Sequence, residues 1–280
     1  MALAHAKVNL WLNVIGRRAD GYHLLDSLAA FADLADSVEA APSQRLSVTV
    51  AGPQSEALES EGDNLVLKAA RLLAERAGVP PRAELSLTKN IPVAAGLGGG
   101  SADAAVALQV LSRLWRIELP AKALFELAGR LGADVPMCLA GGAVLAGGAG
   151  EKLTPAPALP PCGLLLVNPG VPLATREVFA RHAGGFSQAR PIENPWSDLA
   201  GLVEALRMRG NDLTPAAQAL QPLVGEVLDR LRRGPGVRYA AMSGSGPTCF
   251  GLYESPDHAR RAAKELPDIW WRHAGHFVAH

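Results

Sequence analysis

Alternation of apolar and polar positions marks the extended parts of this chain. In residues 45–50, Leu46, Val48 and Val50 fall on one face, and residues 84–88 repeat the pattern, so both stretches predict half-buried strands. Residues 8–15 alternate in part and predict a strand at the N-terminus. The unbroken apolar run at 163–168, stopped by Pro169-Gly170, predicts a buried one. Further strands are expected at 237–242 and 248–253, as a glycine-turned pair within 141–152, and at the edge near Phe277-Val278. Residues 27–38 are apolar without a clear period, so helix and strand both stay open there.

Helical spacing appears elsewhere. Leu65, Ala69 and Leu72 share a face behind an Asp63-Asn64 cap, and Gly78 closes that helix. Residues 102–115 form an Ala/Leu/Val-rich helix; the next starts at Pro120, buries Leu124, Leu127, Ala128 and Leu131, and ends at Gly132. Helices are also predicted at 175–182, 199–207, 215–220, 223–232 and 257–266, with a loop at 184–195. Strands and helices mix without strict βαβ alternation, which gives an α+β class in two lobes. The proline-rich break at 154–161 places the boundary between residues 1–154 and 155–280.

Composition narrows the function. Of 280 residues 49% are hydrophobic, enough for a sizeable core. Lys+Arg and Asp+Glu each count 27, so a general nucleic-acid or anionic-membrane surface is disfavoured. Cys138, Cys162 and Cys249 are scattered and lack zinc-ligand spacing, as expected of a reducing compartment. With no long apolar run and no leader pattern, a cytoplasmic protein is expected.

The candidate chemistry centres on Ile91-Pro92-Val93-Ala94-Ala95-Gly96-Leu97-Gly98-Gly99-Gly100-Ser101-Ala102-Asp103-Ala104. A glycine-rich turn opening a helix, with Ser101 near the N-cap, favours an anion, because free amides and the helix dipole meet there. It is not a P-loop, since Gly100-Ser101-Ala102 lacks the lysine, nor a dinucleotide loop, since a second helix rather than a strand follows. Three other elements stand out, and each has a plain alternative. Lys7 in Ala6-Lys7-Val8-Asn9-Leu10, taken alone, reads first as a strand charge reaching solvent. Asp134 in Leu131-Gly132-Ala133-Asp134-Val135-Pro136 reads as a helix cap, and Ser243-Gly244-Ser245-Gly246-Pro247 as a hairpin turn.

Together, in this order and along the whole chain, these segments resemble the motifs of the GHMP small-molecule kinases. Residues 6–10 are similar to the first family motif, 92–104 to the ATP-binding glycine loop, and 243–248 to the third glycine-rich turn. Arg18-Ala19-Asp20-Gly21-Tyr22-His23 and residues 131–136 resemble the branch acting on cytidine diphosphate methylerythritol in non-mevalonate isoprenoid synthesis. The resemblance implies an N-terminal lobe like ribosomal protein S5 domain 2 and a ferredoxin-like C-terminal lobe. It implies ATP and Mg²⁺ as cofactors, with Pro92, Val93, Ala94, Ala95, Gly96, Leu97, Gly98, Gly99, Gly100, Ser101 and Ala102 around the nucleotide. Asp134 is then the proton acceptor for a substrate hydroxyl, and Lys7 the cation that stabilises the developing alkoxide. No protein metal ligand is implied beyond a hydroxyl from Ser101. Tyr22, His23 and, in the far lobe, Phe179 are expected around the base, although periodicity alone makes Phe179 a core residue. Asn9, Thr175, Asn211, Asp212, Ser243 and Gly244 complete the substrate set by resemblance.

Two positions depart from the family pattern: His5 stands where proline is usual, and Ala102 where a second serine is common. A mevalonate- or homoserine-type kinase is the nearest rival, and residues 18–23 argue against it because those substrates carry no base. A nicotinamide-dependent oxidoreductase and an RNA-binding module are the more distant ones. The partners expected are therefore the small-molecule substrate and ATP, without nucleic acid or membrane.

Overall fold

The computed structural model describes residues 1–56, 64–183, 185–192 and 195–279. Asp63 of the expected cap, and residues 184, 193 and 194 of the expected loop, lie outside that set. By its backbone contacts the chain forms two compact units, and neither is a single run of sequence. The first comprises residues 1–7, 34–93 and 98–141, and the second 8–33, 94–97 and 142–280.

The first unit holds the start of β1 (Ala2–Arg17), a layer of three further strands and helices. The second half of β2 (His23–Ala41) pairs antiparallel with β4 (Glu84–Thr88), and β4 runs parallel to β3 (Ser47–Ala51). Helix α1 (Leu65–Ala77) starts at Asn64, whose side chain accepts from the Val66 amide at 2.9 Å, and Gly78 ends it in the left-handed conformation. Helices α2 (Gly99–Trp115), α3 (Ala121–Leu131) and α4 (Val135–Ala140) pack with it. Alanines at 102, 104, 105 and 107 are buried, and their small size lets α2 lie close to α1 and α4. Leu73, Leu85, Leu108 and Leu111 are fully buried in the core.

The second unit holds a four-stranded antiparallel sheet in the order β10 (Trp271–Gly275), β7 (Gly163–Asn168), β9 (Cys249–Tyr253), β8 (Tyr239–Met242). Helices α5 (Thr175–Arg181), α6 (Leu199–Arg209), α7 (Thr214–Leu220) and α8 (Leu223–Arg233) separate β7 from β8, and α9 (Pro256–Ala263) separates β9 from β10. Within the sheet the strands therefore lie fourth, first, third, second, which is the ferredoxin-like arrangement. Its central strands β7 and β9 are buried along their whole length, which explains their continuous apolar sequence. The same unit contains the first half of β2, paired antiparallel with β5 (Val144–Gly148), and β5 is paired with β6 (Lys152–Pro155). The α+β class is thus as expected.

Some elements differ from their sequence signals. The N-terminal strand β1 (Ala2–Arg17) is twice the predicted length, because almost all of its residues from Ala4 to Val14 are buried and no clean alternation marks it. The ambiguous 27–38 stretch belongs to β2. Ser101 is not the cap of α2: Gly98 caps it with φ +64° and Ser101 lies in the first turn. The C-terminal strand lies at Trp271–Gly275, whose mixed side chains carry no strand pattern and whose place is set by register with β7; Phe277 makes only an isolated bridge with Ala32. Among the described residues no helix is long and apolar enough to cross a membrane.

Candidate active site

In the first unit β1 brings Lys7 to the start of α4. The ammonium is buried and lies 3.0 Å from Oδ2 of Asp134, whose side chain remains 42% exposed. Asp134 occupies the N-cap position of α4, yet its side chain makes no cap hydrogen bond and faces Lys7 instead. Both plain alternatives therefore fail: the lysine does not reach solvent, and the aspartate is no ordinary cap. Gly98 lies directly on this pair. A Cβ at its position would stand 3.1 Å from Lys7 Cε and 3.9 Å from Asp134 Oδ2, and its positive φ independently favours glycine. The following residues, Gly99, Gly100 and Ser101, form the first turn of α2, whose amides have no acceptor one turn earlier in the helix. The lysine, the aspartate and the anion-favouring helix start thus meet in one unit. Ala102, behind them, is buried.

A second set of groups surrounds the Ser243–Pro247 turn in the second unit. Asn9 donates its backbone amide to Ser243 Oγ at 3.1 Å and its side-chain amide to Ser27 Oγ at 2.9 Å. Ser243 Oγ also donates to the Gly96 carbonyl at 3.3 Å, and the Thr248 amide donates to the Ala95 carbonyl at 3.3 Å. A side chain at Gly96 would collide with the Gly246 carbonyl, which explains the glycine there. Ala94 adopts φ +54°, a strained choice for a residue with a Cβ. Pro92 and Val93, half-buried, belong to the first unit and open the loop.

Asn211 donates to the Met242 and Gly244 carbonyls, each at 2.8 Å, so it shapes that turn. Asp212 accepts from the Val14 amide at 2.8 Å and from Asn13 Nδ2 at 3.1 Å, and so fastens β1. Thr175 Oγ1 and Ser245 Oγ are 2.9 Å apart. His23 and Phe179 stack with centroids 5.2 Å apart, and His182 meets His23 edge-on at 6.3 Å. Burial, then the positive charge of Arg17 and the proximity of His182, lower the His23 pKa, so the ring is neutral near pH 7 with one donor and one acceptor. Phe179 is partly buried against the core, as its periodicity predicts, and its ring also stacks on His23. Tyr22 stands exposed at the end of the turn that precedes His23.

Sequence reasoning missed Lys89, Asp36 and Asp103, a buried ionic group in the first unit. Lys89 Nζ pairs with Asp36 and lies 2.6 Å from Asp103 Oδ2. Burial above all, with the Asp36 charge in addition, lifts the Asp103 carboxyl to about 7 against the opposing pull of Lys89. The available signal was a charge at the end of an alternating strand and another inside an apolar helix. The three cysteines are free, and burial raises each thiol, Cys162 to about 11, which makes them unreactive.

Among the described residues no three His, Cys, Asp or Glu side chains gather into a metal cluster. The half-exposed carboxylate of Asp134 and the hydroxyl of Ser101 are oxygen donors beside the loop, the donor class that suits Mg²⁺ shared with substrate phosphates.

Two family models match the chain: the GHMP kinase N-terminal domain over residues 64–142, which contain the glycine loop and Asp134, and the GHMP kinase C-terminal domain over 192–271. The chain belongs to the GHMP kinase family. Within it, the chain is 53% identical to 4-diphosphocytidyl-2-C-methyl-D-erythritol kinase of Paramagnetospirillum magneticum, across 96% of this chain and 95% of the relative. It is 49% identical to the Rhodospirillum rubrum protein of the same name, across 98% and 91%. A crystal structure of 4-(cytidine 5'-diphospho)-2C-methyl-D-erythritol kinase superposes with a TM-score of 0.82 at 40% identity, covering 100% of this chain and 99% of the other.

Proposed function

We propose that this chain transfers the γ-phosphoryl group of ATP to the 2-hydroxyl of 4-diphosphocytidyl-2-C-methyl-D-erythritol, giving the 2-phosphate and ADP. The observation that carries the reading is the Lys7–Asp134 pair seated under Gly98. A tertiary alcohol is a weak nucleophile. Asp134 accepts its proton as the oxygen bonds to phosphorus and the bond to the ADP oxygen breaks. Lys7 places a positive charge where the alkoxide develops. The amides of Gly98 to Ser101 hold the phosphates, with Ala94 to Leu97 bringing the chain to that point. Oxygens of Asp134 or Ser101 would hold Mg²⁺ together with the phosphates, and the ion would supply charge neutralisation for the transferring group.

The base falls to His23 and Phe179, with Tyr22 as a further stacking face: a neutral imidazole offers both a hydrogen-bond donor and an acceptor. By family resemblance Asn9, Ser243 and Gly244 belong to the substrate set, while Asn211, Asp212 and Thr175 act by holding the turn and β1 in shape. The division into a nucleotide lobe, residues 1–154, and a substrate lobe, residues 155–280, stays part of this reading; the N- and C-terminal family models fall one within each range. Names of close relatives support the substrate.

The test is coupled ADP release with Mg-ATP and, in parallel, the cytidine substrate, mevalonate, homoserine and galactose. Turnover confined to the cytidine substrate is the expected result. Turnover with another alcohol would retain the kinase and overturn the base assignment, and no turnover with any, from folded protein, would overturn both.

A further inference from the structure

Lys89 sits one residue beyond β4 and is 2% exposed. Its ammonium joins two carboxylates from different elements, Asp36 of β2 and Asp103 of α2. Asp36 is fully buried, and its other oxygen accepts from the amides of Asn90 at 2.6 Å and Ile91 at 2.8 Å, the two residues that lead into the glycine loop. Asp103 lies just past the first turn of α2, and its Oδ1 is buried with no hydrogen-bond partner. The backbone of Lys89 is fixed as well: its amide donates to the Ala51 carbonyl at 2.7 Å, and its carbonyl accepts from Gln54 at 3.1 Å. Gly99, the first residue of α2, lies against this lysine, for a Cβ there would stand 3.4 Å from Nζ and 3.1 Å from Ile91 Cγ2.

Such a cluster is a poor device for stability, since desolvating three charges opposes their attraction and an apolar replacement is often as stable. It is also a poor phosphate ligand, because two carboxylates already balance one ammonium and leave the group acidic. What it does well is fix geometry: one side chain links β2, the end of β4 and the start of α2, on both sides of the glycine loop.

We infer that Lys89 is a positioning residue for phosphoryl transfer, which through Asp36 and Asp103 sets the direction of the loop amides at the start of α2. This rests on the kinase reading above. Displacement of a binding group by about an ångström is enough to cost roughly 10²-fold in rate, so the effect should be large.

The experiment measures ATP affinity by calorimetry, together with kcat and the KM for each substrate, in the wild-type protein and in Lys89→Met, Asp103→Leu and Asp103→Asn. Asp103→Asn keeps an oxygen acceptor for Lys89 and is expected within about threefold of wild type in every parameter. Asp103→Leu removes that acceptor and should weaken ATP about tenfold and lower kcat about 10²-fold, with the KM for the alcohol unchanged. Lys89→Met should match it; if that variant does not fold, the Asp103 pair carries the test. Direct contact of Lys89 with phosphate predicts the reverse for Asp103→Leu, because a freed ammonium would hold or strengthen ATP, and that result would overturn the inference. So would Asp103→Leu indistinguishable from Asp103→Asn. Wild-type protein that neither binds ATP nor turns over would overturn the kinase reading itself, and a normal wild type with unaffected variants would overturn only this one.

Discussion

Two lysine–aspartate groups lie in the same unit, built from the same chemistry and placed on the same helix start, yet they are solvated differently. Lys7–Asp134 keeps its carboxylate 42% exposed, whereas in Lys89–Asp36–Asp103 every side chain is within 3% of complete burial. A carboxylate that must accept a proton and release it to water needs access to solvent, and only Asp134 has it. A carboxylate that must not move is better enclosed, with backbone amides on its second oxygen, as Asp36 is. Charge pairing alone therefore does not separate the two groups; exposure and what fills the remaining lone pairs do.

The comparison breaks most visibly at Asp134. Asp134→Asn should lower kcat by about 10²–10⁴-fold, the range for losing a general base, while calorimetry finds ATP still bound and the thermal midpoint little changed. A variant that loses ATP or unfolds would remove Asp134 from the proton-accepting role. Asp36→Ala should do the opposite. Removing one partner of a buried ion group is expected to cost on the order of 3–5 kcal/mol in urea unfolding, because Lys89 and two loop amides lose their acceptor. A cost below about 0.5 kcal/mol, the range of ordinary surface changes, would mean the group is not held as described.

The smallest effect is a pH dependence. Burial raises the Asp103 pKa from 3.8 to about 7. Between those values the folded protein holds a proton that the unfolded chain has released, so stability falls as pH rises through the window and stays lower above it. Asp103→Asn cannot titrate, and its stability relative to wild type should climb from pH 4 to pH 7 in parallel urea titrations. A constant difference across that range would show that Lys89 holds the carboxylate ionised throughout.

Much of the frame was legible in the residues. The glycine loop, Lys7, Asp134 and the Ser243 turn stood out by residue type and order, and β4 and β7 matched their alternating and continuous apolar patterns. The substrate set was less legible by role. Asn211 and Asp212 bind backbone atoms of the turn and of β1, which a list of polar residues cannot show. The Lys89 group escaped notice because its members stand 53 and 14 residues apart in sequence, and each alone looks like an ordinary surface charge.

The sequence by itself determined where the chain turns, which faces are apolar and which segments carry a kinase-family motif, since these depend on local sterics and on side-chain period. Tertiary structure alone decided that Gly98 rather than Ser101 caps α2, that a patternless stretch at Trp271–Gly275 completes a sheet, and which charges are buried. The physical reason is the same in each case. Register, capping and desolvation are properties of what packs against a residue, and those neighbours come from distant parts of the chain.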